Sequence, residues 1–295
     1  MDKRVLSADW LLLLTAVIWG SAFVAQRAGM KYVGAFTFNG IRFGLGLLVL
    51  LPLVMLAPRG RKHNPVSENR QHAFRRPALW GGALAGLVLF TAAGLQQLGL
   101  VHTTAGKAGF ITGLYVIIVP VLGLFWGLKS AKGGWLGACL AVAGLYLLSV
   151  TKDFTLAPGD LLVLLGAFFW AGHVLVVGWL SPRVNRLRLA CAQYAVCSAL
   201  SLIAAELTEK IILESILQAA VPILYGGVIS VGMAYTLQVV AQRYAPPAHA
   251  AIILSLEAVF AAAAGWLILG EVMSARGMIG AGLMLAGMLT AQLWT

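Results

Sequence analysis

Apolar residues fall along this chain in long runs closed off by charges, proline or glycine. The hydrocarbon core of a bilayer is about 30 Å thick, and a helix of about 20 apolar residues crosses it. Ten runs of that order are present, at approximately 9–27, 33–57, 77–100, 104–127, 133–151, 159–180, 187–206, 219–242, 246–269 and 275–294. They predict an all-α integral membrane protein with ten transmembrane helices. The first run follows Lys3 and Arg4 as the apolar part of a secretory signal would. However, Trp19-Gly20-Ser21 passes into Ala22-Phe23-Val24 without a small-x-small cleavage site, and nine further runs follow, so it reads as a retained helix.

Composition agrees with the pattern. Of the 295 residues, 60% are hydrophobic and 11% charged, where soluble domains carry about 45–50% and about 25%. The mean hydropathy is +0.90. A soluble enzyme, a disordered tail and a nucleic-acid module are excluded. The 21 basic residues outnumber the 10 acidic ones, but they punctuate apolar runs instead of gathering on one solvated face, so nucleic acid is not an expected partner. Lys and Arg accumulate on the cytoplasmic side of membrane proteins. With the N-terminus inside, fourteen basic residues fall on cytoplasmic segments and six, Arg27, Lys31, Lys107, Lys152, Lys210 and Arg276, on the opposite side. Both termini are therefore expected in the cytoplasm, with Arg59 to Arg76 as a topogenic cytoplasmic loop. Cys139, Cys191 and Cys197 all lie in apolar stretches, with no CxxC pair or zinc-site spacing, and read as small core residues.

The chain repeats itself at about half its length. Gly137-Ala138-x-Leu140-x-x-Ala143-Gly144 recurs 143 residues on as Gly280-Ala281-x-Leu283-x-x-Ala286-Gly287. Trp80-Gly81-Gly82 recurs as Tyr225-Gly226-Gly227, Gln97 as Gln242, and Trp19 as Trp170. Each half, 1–152 and 153–295, holds five predicted helices. An odd number obliges the second half to enter from the opposite side, giving inverted-topology repeats, a construction of secondary transporters with a substrate site near the midplane.

These residues resemble a known family. Tyr235-Thr236-Leu237-Gln238-Val239-Val240-Ala241-Gln242-Arg243-Tyr244, then Pro247-Ala248-His249-Ala250-Ala251-Ile252-Ile253-Leu254-Ser255-Leu256-Glu257-Ala258-Val259-Phe260, and Leu269-Gly270-Glu271 leading into the Gly280 motif, are similar to the EamA-type carriers of the drug/metabolite transporter superfamily. So is Thr112-Gly113-Leu114-Tyr115-Val116-Ile117-Ile118-Val119-Pro120 in the first half. One departure is Ala258, where the family carries the proline that would break the helix after the glutamate. The resemblance implies a ten-helix bacterial inner-membrane carrier of two inverted five-helix repeats, related to the YddG-like exporters of amino acids and small metabolites.

Intramembrane charge is the most informative local signal, because a charged group there faces a cavity or a partner. Arg42 lies about 14 Å into the second predicted helix and Glu257 about 17 Å into the ninth, at a rise of 1.5 Å per residue. They either pair or each face a wet cavity. Gly40-x-x-x-Gly44 brackets Arg42 and marks a close helix contact. Glu257 has two readings, a substrate or proton-coupling group and a structural hydrogen-bond partner. Trp19 and Trp170 occupy corresponding repeat positions, and His173 stands one turn after Trp170 on the same face. Tyr115, Tyr235, Gln97, Gln238 and Gln242 add polar tips, and convergence of such groups on an apolar cavity is the usual small-molecule site. The candidate substrate site is accordingly Trp19, Arg42, Gln97, Tyr115, Trp170, His173, Tyr235, Gln238 and Glu257, with Glu257 the proton-coupling candidate.

No enzyme motif is found. Gly99 to Gly106-Lys107-Ala108 has the wrong spacing and lacks the Ser or Thr of a phosphate loop, and neither HExxH nor GxSxG occurs. No metal site or cofactor is expected, and a monomer is compatible with the sequence. The expected function is alternating-access export of amino acids or similar small amphipathic metabolites. Proton-coupled multidrug antiport stands as the alternative within transport, and an integral-membrane enzyme or lipid-handling protein as the alternative outside it.

Overall fold

The computed structural model describes residues 3–56, 65–125, 127, 132–149 and 157–294. Among these residues every regular element is helical. In chain order they are α1 Lys3–Gly29, α2 Ala35–Leu56, α3 Pro65–Leu100, α4 Ala105–Gly113, α5 Tyr115–Leu124, α6 Lys132–Ser149, α7 Pro158–Leu180 and α8 Arg186–Thr208. There follow α9 Leu213–Gln218, α10 Ala220–Leu224, a π-helix π1 Tyr225–Tyr235, α11 Thr236–Ala241, α12 Pro247–Leu254, α13 Glu257–Leu269 and α14 Ala275–Leu293.

Seven stretches are long and apolar enough to cross a membrane: Leu6–Gly29, Ala35–Leu56, Trp80–Leu100, Ala105–Leu124, Pro158–Leu180, Arg186–Thr208 and Ala220–Ala241. Helix also occupies the other three predicted runs, as α6, as α12 with α13, and as α14. Large apolar side chains face outward, among them Trp10, Leu48, Phe168, Ile203 and Trp266, each more than 45% exposed. Water would not tolerate that surface, whereas lipid does. Of the cysteines, only Cys197 is buried; Cys191 is intermediate and Cys139 lies on the outer face, so the core reading holds for Cys197 alone. Residues 57–64 of the basic segment lie outside the described residues, and the rest of that segment, expected as loop, is helical from Pro65.

Two predicted helices are interrupted at matching places. The 104–127 run breaks at Leu114 (ψ −15°), and the 246–269 run at Ser255 and Leu256 (ψ −14° each). At each break the hydrogen bonds tighten from the i−4 to the i−3 carbonyl: Leu114 N–H donates to Ile111 O at 3.2 Å and Leu256 N–H to Ile253 O at 3.2 Å. A short 3₁₀ pinch thus interrupts the second of these runs without the proline that Ala258 replaces. The first residues beyond the two breaks are Tyr115 and Glu257. The 219–242 run is interrupted differently, by the wider turns of π1.

Packing brings the two glycine motifs together. α6 lies along α14, where the two copies of the glycine motif meet. A Cβ at Gly144 would stand 2.6 Å from Met284 Cγ, and one at Gly287 would stand 3.0 Å from Ala141 N. α3 packs on α7 and α8, and π1 packs correspondingly on α1 and α2. α2 meets α8 directly, and α4 meets α13. The Gly40 and Gly44 expectation is met at the α2–α8 contact. Ser198 Oγ donates to Gly40 O at 2.8 Å, and a Cβ at Gly40 would stand 2.6 Å from Leu202 Cδ2.

The two ends of the bundle carry different polar contacts. At one end Arg27 Nε lies 3.7 Å from Glu271 Oε1, while Arg27 Nη1 donates to Leu100 O at 2.6 Å and to Thr103 O. Beside it Lys107 Nζ lies 3.3 Å from the fully buried Asp160, which also accepts from Thr103 Oγ1. Asp160 is a third buried charge among the described residues, placed at a helix end where hydropathy shows no sign of burial. At the other end His249 Nε2 lies 2.7 Å from Asp9 Oδ1.

Candidate functional site

α1 runs from the Asp9–His249 contact to the Arg27–Glu271 contact, and Trp19 lies between them. At that level α1 comes close to α13, since a Cβ at Gly20 would stand 2.7 Å from Glu257 O. An aromatic cluster forms there. The Trp19 ring lies 4.5 Å from Tyr235 and 6.4 Å from Trp170, and Trp170 stacks on Tyr235 at 6.0 Å. These three rings help line a narrow cavity of about 30 Å³.

Seven of the nine sequence-predicted residues line this cavity: Trp19, Arg42, Tyr115, Trp170, Tyr235, Gln238 and Glu257. The two breaks explain how Tyr115 and Glu257 reach it, since each heads a half-helix that starts inside the bundle. Arg42 and Glu257 share the cavity without forming an ion pair, and no salt bridge among the described residues joins them. Arg42 Nε donates to Asn39 Oδ1 at 2.9 Å, its guanidinium carbon lies 4.9 Å from the Phe43 ring centre and 5.6 Å from that of Phe38, and Nη2 has no hydrogen-bond partner. Tyr115 lies beside the Glu257 carboxyl. Both amide atoms of Gln238 are buried and unpartnered.

The other two predicted residues stand behind the wall. Gln97 Nε2 donates to Gln26 O at 3.3 Å, tying α3 to α1. Its counterpart Gln242 makes the matching tie in the second half, donating to Val174 O of α7 at 3.1 Å. His173 bonds Gln193 Oε1 at 3.0 Å and meets Trp170 edge-on at 6.0 Å. His249 holds Asp9 and does not line the cavity.

Sequence reasoning missed the amides that hold the indoles. Gln96 Oε1 accepts from Trp170 Nε1 at 2.7 Å and from Thr112 Oγ1 at 3.3 Å, and Gln96 Nε2 donates to Gln26 Oε1 at 3.2 Å. Trp19 Nε1 donates to Ser230 O of π1 at 3.4 Å. With both indole N–H groups engaged by protein, the rings offer their faces to the cavity. Gln26, Gln96, Thr112 and Ser230 also line it, together with Phe23 and Val174. The repeat offers one clue to them, because Gln96 adjoins Gln97, whose copy is Gln242. No group of three or more His, Cys, Asp or Glu converges among the described residues.

Comparison with known proteins follows the same line. The sequence model of the EamA-like transporter family matches residues 6–150 and again residues 157–291. An uncharacterized transporter of Archaeoglobus fulgidus is 29% identical over 290 residues, which cover 98% of this chain and 86% of that protein. The uncharacterized inner membrane transporter YedA of Escherichia coli K12 is 28% identical over 245 residues, 78% of this chain and 73% of YedA. A solved crystal structure superposes with a TM-score of 0.72, covering 97% of this chain and 96% of the other at 18% identity, and shares the fold.

Proposed function

The chain belongs to the EamA-like transporter family, as a multi-span membrane transporter and not an enzyme, and from that premise we propose that it exports amino acids or similar small amphipathic metabolites across the bacterial inner membrane. The observation that carries the reading is the cavity between the halves. Trp19 and Arg42 come from the first half and Trp170, Tyr235 and Glu257 from the second, with aromatic faces beside separated polar groups.

Export proceeds by alternating access of two inverted five-helix repeats, 1–152 and 153–295, within a ten-helix chain. Three features support that arrangement. The family model matches twice, the helix contacts persist when the halves are exchanged, and the breaks before Tyr115 and Glu257 correspond. A cavity between two such repeats opens to one face or the other as they rock, with no ATP site required. In this reading Glu257 is the proton-coupling group. It shares the cavity with Arg42, Tyr115 and Tyr235, so a change in its charge alters the field that the cargo meets.

Purified protein in liposomes tests both points. Counterflow of radiolabelled amino acids is expected, and exchange of cationic drugs in their place would favour multidrug antiport. Glu257→Gln keeps the shape of the side chain but cannot titrate. It should abolish the dependence of transport on a pH gradient while leaving exchange at equal pH within about threefold, since the surrounding contacts persist. A gradient dependence equal to wild type would remove the coupling role.

A further inference from the structure

Arg42 is the one guanidinium inside the cavity wall, 1% exposed, and a group that cannot shed its proton in a protein. Every salt bridge formed by the described residues lies elsewhere, at Arg27–Glu271, Lys107–Asp160 and His249–Asp9. A buried cation without a counter-ion is costly, and such a group is kept where something else completes it.

The side chain is also held in place. Asn39 Nδ2 donates to Ala93 O at 3.0 Å, which turns Asn39 Oδ1 toward Arg42 Nε at 2.9 Å. Phe38 and Phe43 confine the guanidinium, as cation–π partners do. The Nε edge is thus occupied, while Nη2 has no partner in the protein. A planar guanidinium with an unpartnered Nη2 can offer N–H groups to a carboxylate, whose two oxygens accept them.

We propose that Arg42 is the receptor for the cargo's carboxylate, so that the transported solutes are small carboxylates with an apolar remainder. The remainder lies against the faces of Trp19, Trp170 and Tyr235, and Gln238, with donor and acceptor both free, meets a second polar group. Asn39 is a positioning residue that acts through Arg42. This inference rests on the reading of the cavity as the cargo site and narrows what that site accepts.

The experiment measures ligand-induced thermal stabilisation of the purified full chain with matched probes. These are L-leucine and L-phenylalanine, their amides, the deamino acids 4-methylpentanoate and 3-phenylpropanoate, and the amines 3-methylbutylamine and phenethylamine. Carboxylate-bearing probes should half-saturate at concentrations at least tenfold lower than their amides or amines. Arg42→Gln should reduce that preference to less than twofold, and Arg42→Lys should keep part of it. If Arg42→Gln does not fold, the wild-type comparison and Asn39→Ala, which should weaken carboxylates selectively, carry the test. Deamino acids binding as well as amino acids would uphold the role of Arg42 and overturn amino acids as the cargo. Amides or amines binding as well as the acids, or an unchanged preference in Arg42→Gln, would overturn the role of Arg42. Amino-acid counterflow would still stand in that case. Failure of every probe to bind would overturn the inference, and counterflow with the same amino acids then decides the transport reading by itself.

Discussion

Gln96 carries more of the cavity's geometry than its position in an apolar run suggests, because one amide holds Trp170, Thr112 and Gln26 at once. Hydrogen bonds between membrane helices average about 0.6 kcal/mol and reach about 1.7 kcal/mol, so the replacement Gln96→Leu should cost about 1 kcal/mol of stability. Its larger effect should fall on cargo. With the Trp170 N–H unpaired, the indole is free to rotate into the cavity, and the half-saturating cargo concentration should rise severalfold alongside a melting loss of only about 2–4 °C. Titrated thermal stabilisation reads both quantities, and a melting loss with unchanged affinity would confine Gln96 to a structural role. The sequence exposed the aromatic and charged members of the site, since Trp19, Trp170, Arg42 and Glu257 stand out against apolar neighbours. It hid Gln96, Gln26 and Thr112, whose side chains differ little in kind from other polar groups that merely tie helices, as Gln97 and Gln242 do.

At the level of the helix, two carboxylates cap N-termini that lie far away in sequence. Glu209, just past α8, accepts from Phe36 N and Thr37 N at 2.8 Å each and from Thr37 Oγ1 at 2.7 Å. Glu271 accepts from Ala105 N at 2.9 Å and Gly106 N at 3.0 Å while facing Arg27. The first turn of a helix leaves its N–H groups unpaired and favours negative charge, so both sites are stabilising. Gly270 makes the second possible. Its left-handed φ of 66° ends α13 and turns the chain so that Glu271 points back toward α4. Hydrogen bonds to charged groups contribute about 1.5–3 kcal/mol, so Glu209→Ala should destabilise by about 2 kcal/mol, with Glu209→Gln intermediate. Thermal melts of the purified variants in one detergent check this order, and equal melting points for Ala and Gln would remove the charge argument. These caps were illegible in the sequence because capping is recognised by residues next to the helix, and α2 begins after Gly34 with no side chain of its own to cap it. The breaks before Tyr115 and Glu257 were hidden for a related reason. A 3₁₀ pinch changes the hydrogen-bond register without needing Pro, and Gly113 is one of 34 glycines, so Leu114 and Leu256 read as continuous helix. The π-helix that presents Ser230 and Tyr235 leaves no mark in hydropathy either.

For the whole molecule, long apolar runs were enough to anticipate a helical membrane protein, and the two glycine motifs marked a close helix contact, since Gly144 and Gly287 sit where α6 and α14 pack together. What hydropathy does not carry is the direction of the chain, and here charge and structure bear on the same question from independent sides. Arg27, Lys107, Asp160 and Glu271 come together at one end of the bundle, and Asp9 meets His249 at the other. Lys and Arg near membrane-spanning ends bias those ends toward the cytoplasm, and the ten-helix reading of the sequence assigns fourteen basic residues to the side of Asp9 and six to that of Arg27. The Asp9 end is therefore expected inside, together with both termini. Single cysteines in a background lacking Cys139, Cys191 and Cys197 test this in intact cells with a membrane-impermeant thiol reagent. Cysteine at position 65 or 295 should be protected until the membrane is opened. Cysteine at Lys210, exposed beyond α8 on the Arg27 side, should react at once. Labelling of position 65 or 295 from outside, with position 210 protected, would reverse the orientation and with it the assignment of the Arg27–Glu271 and Lys107–Asp160 contacts to the outer face.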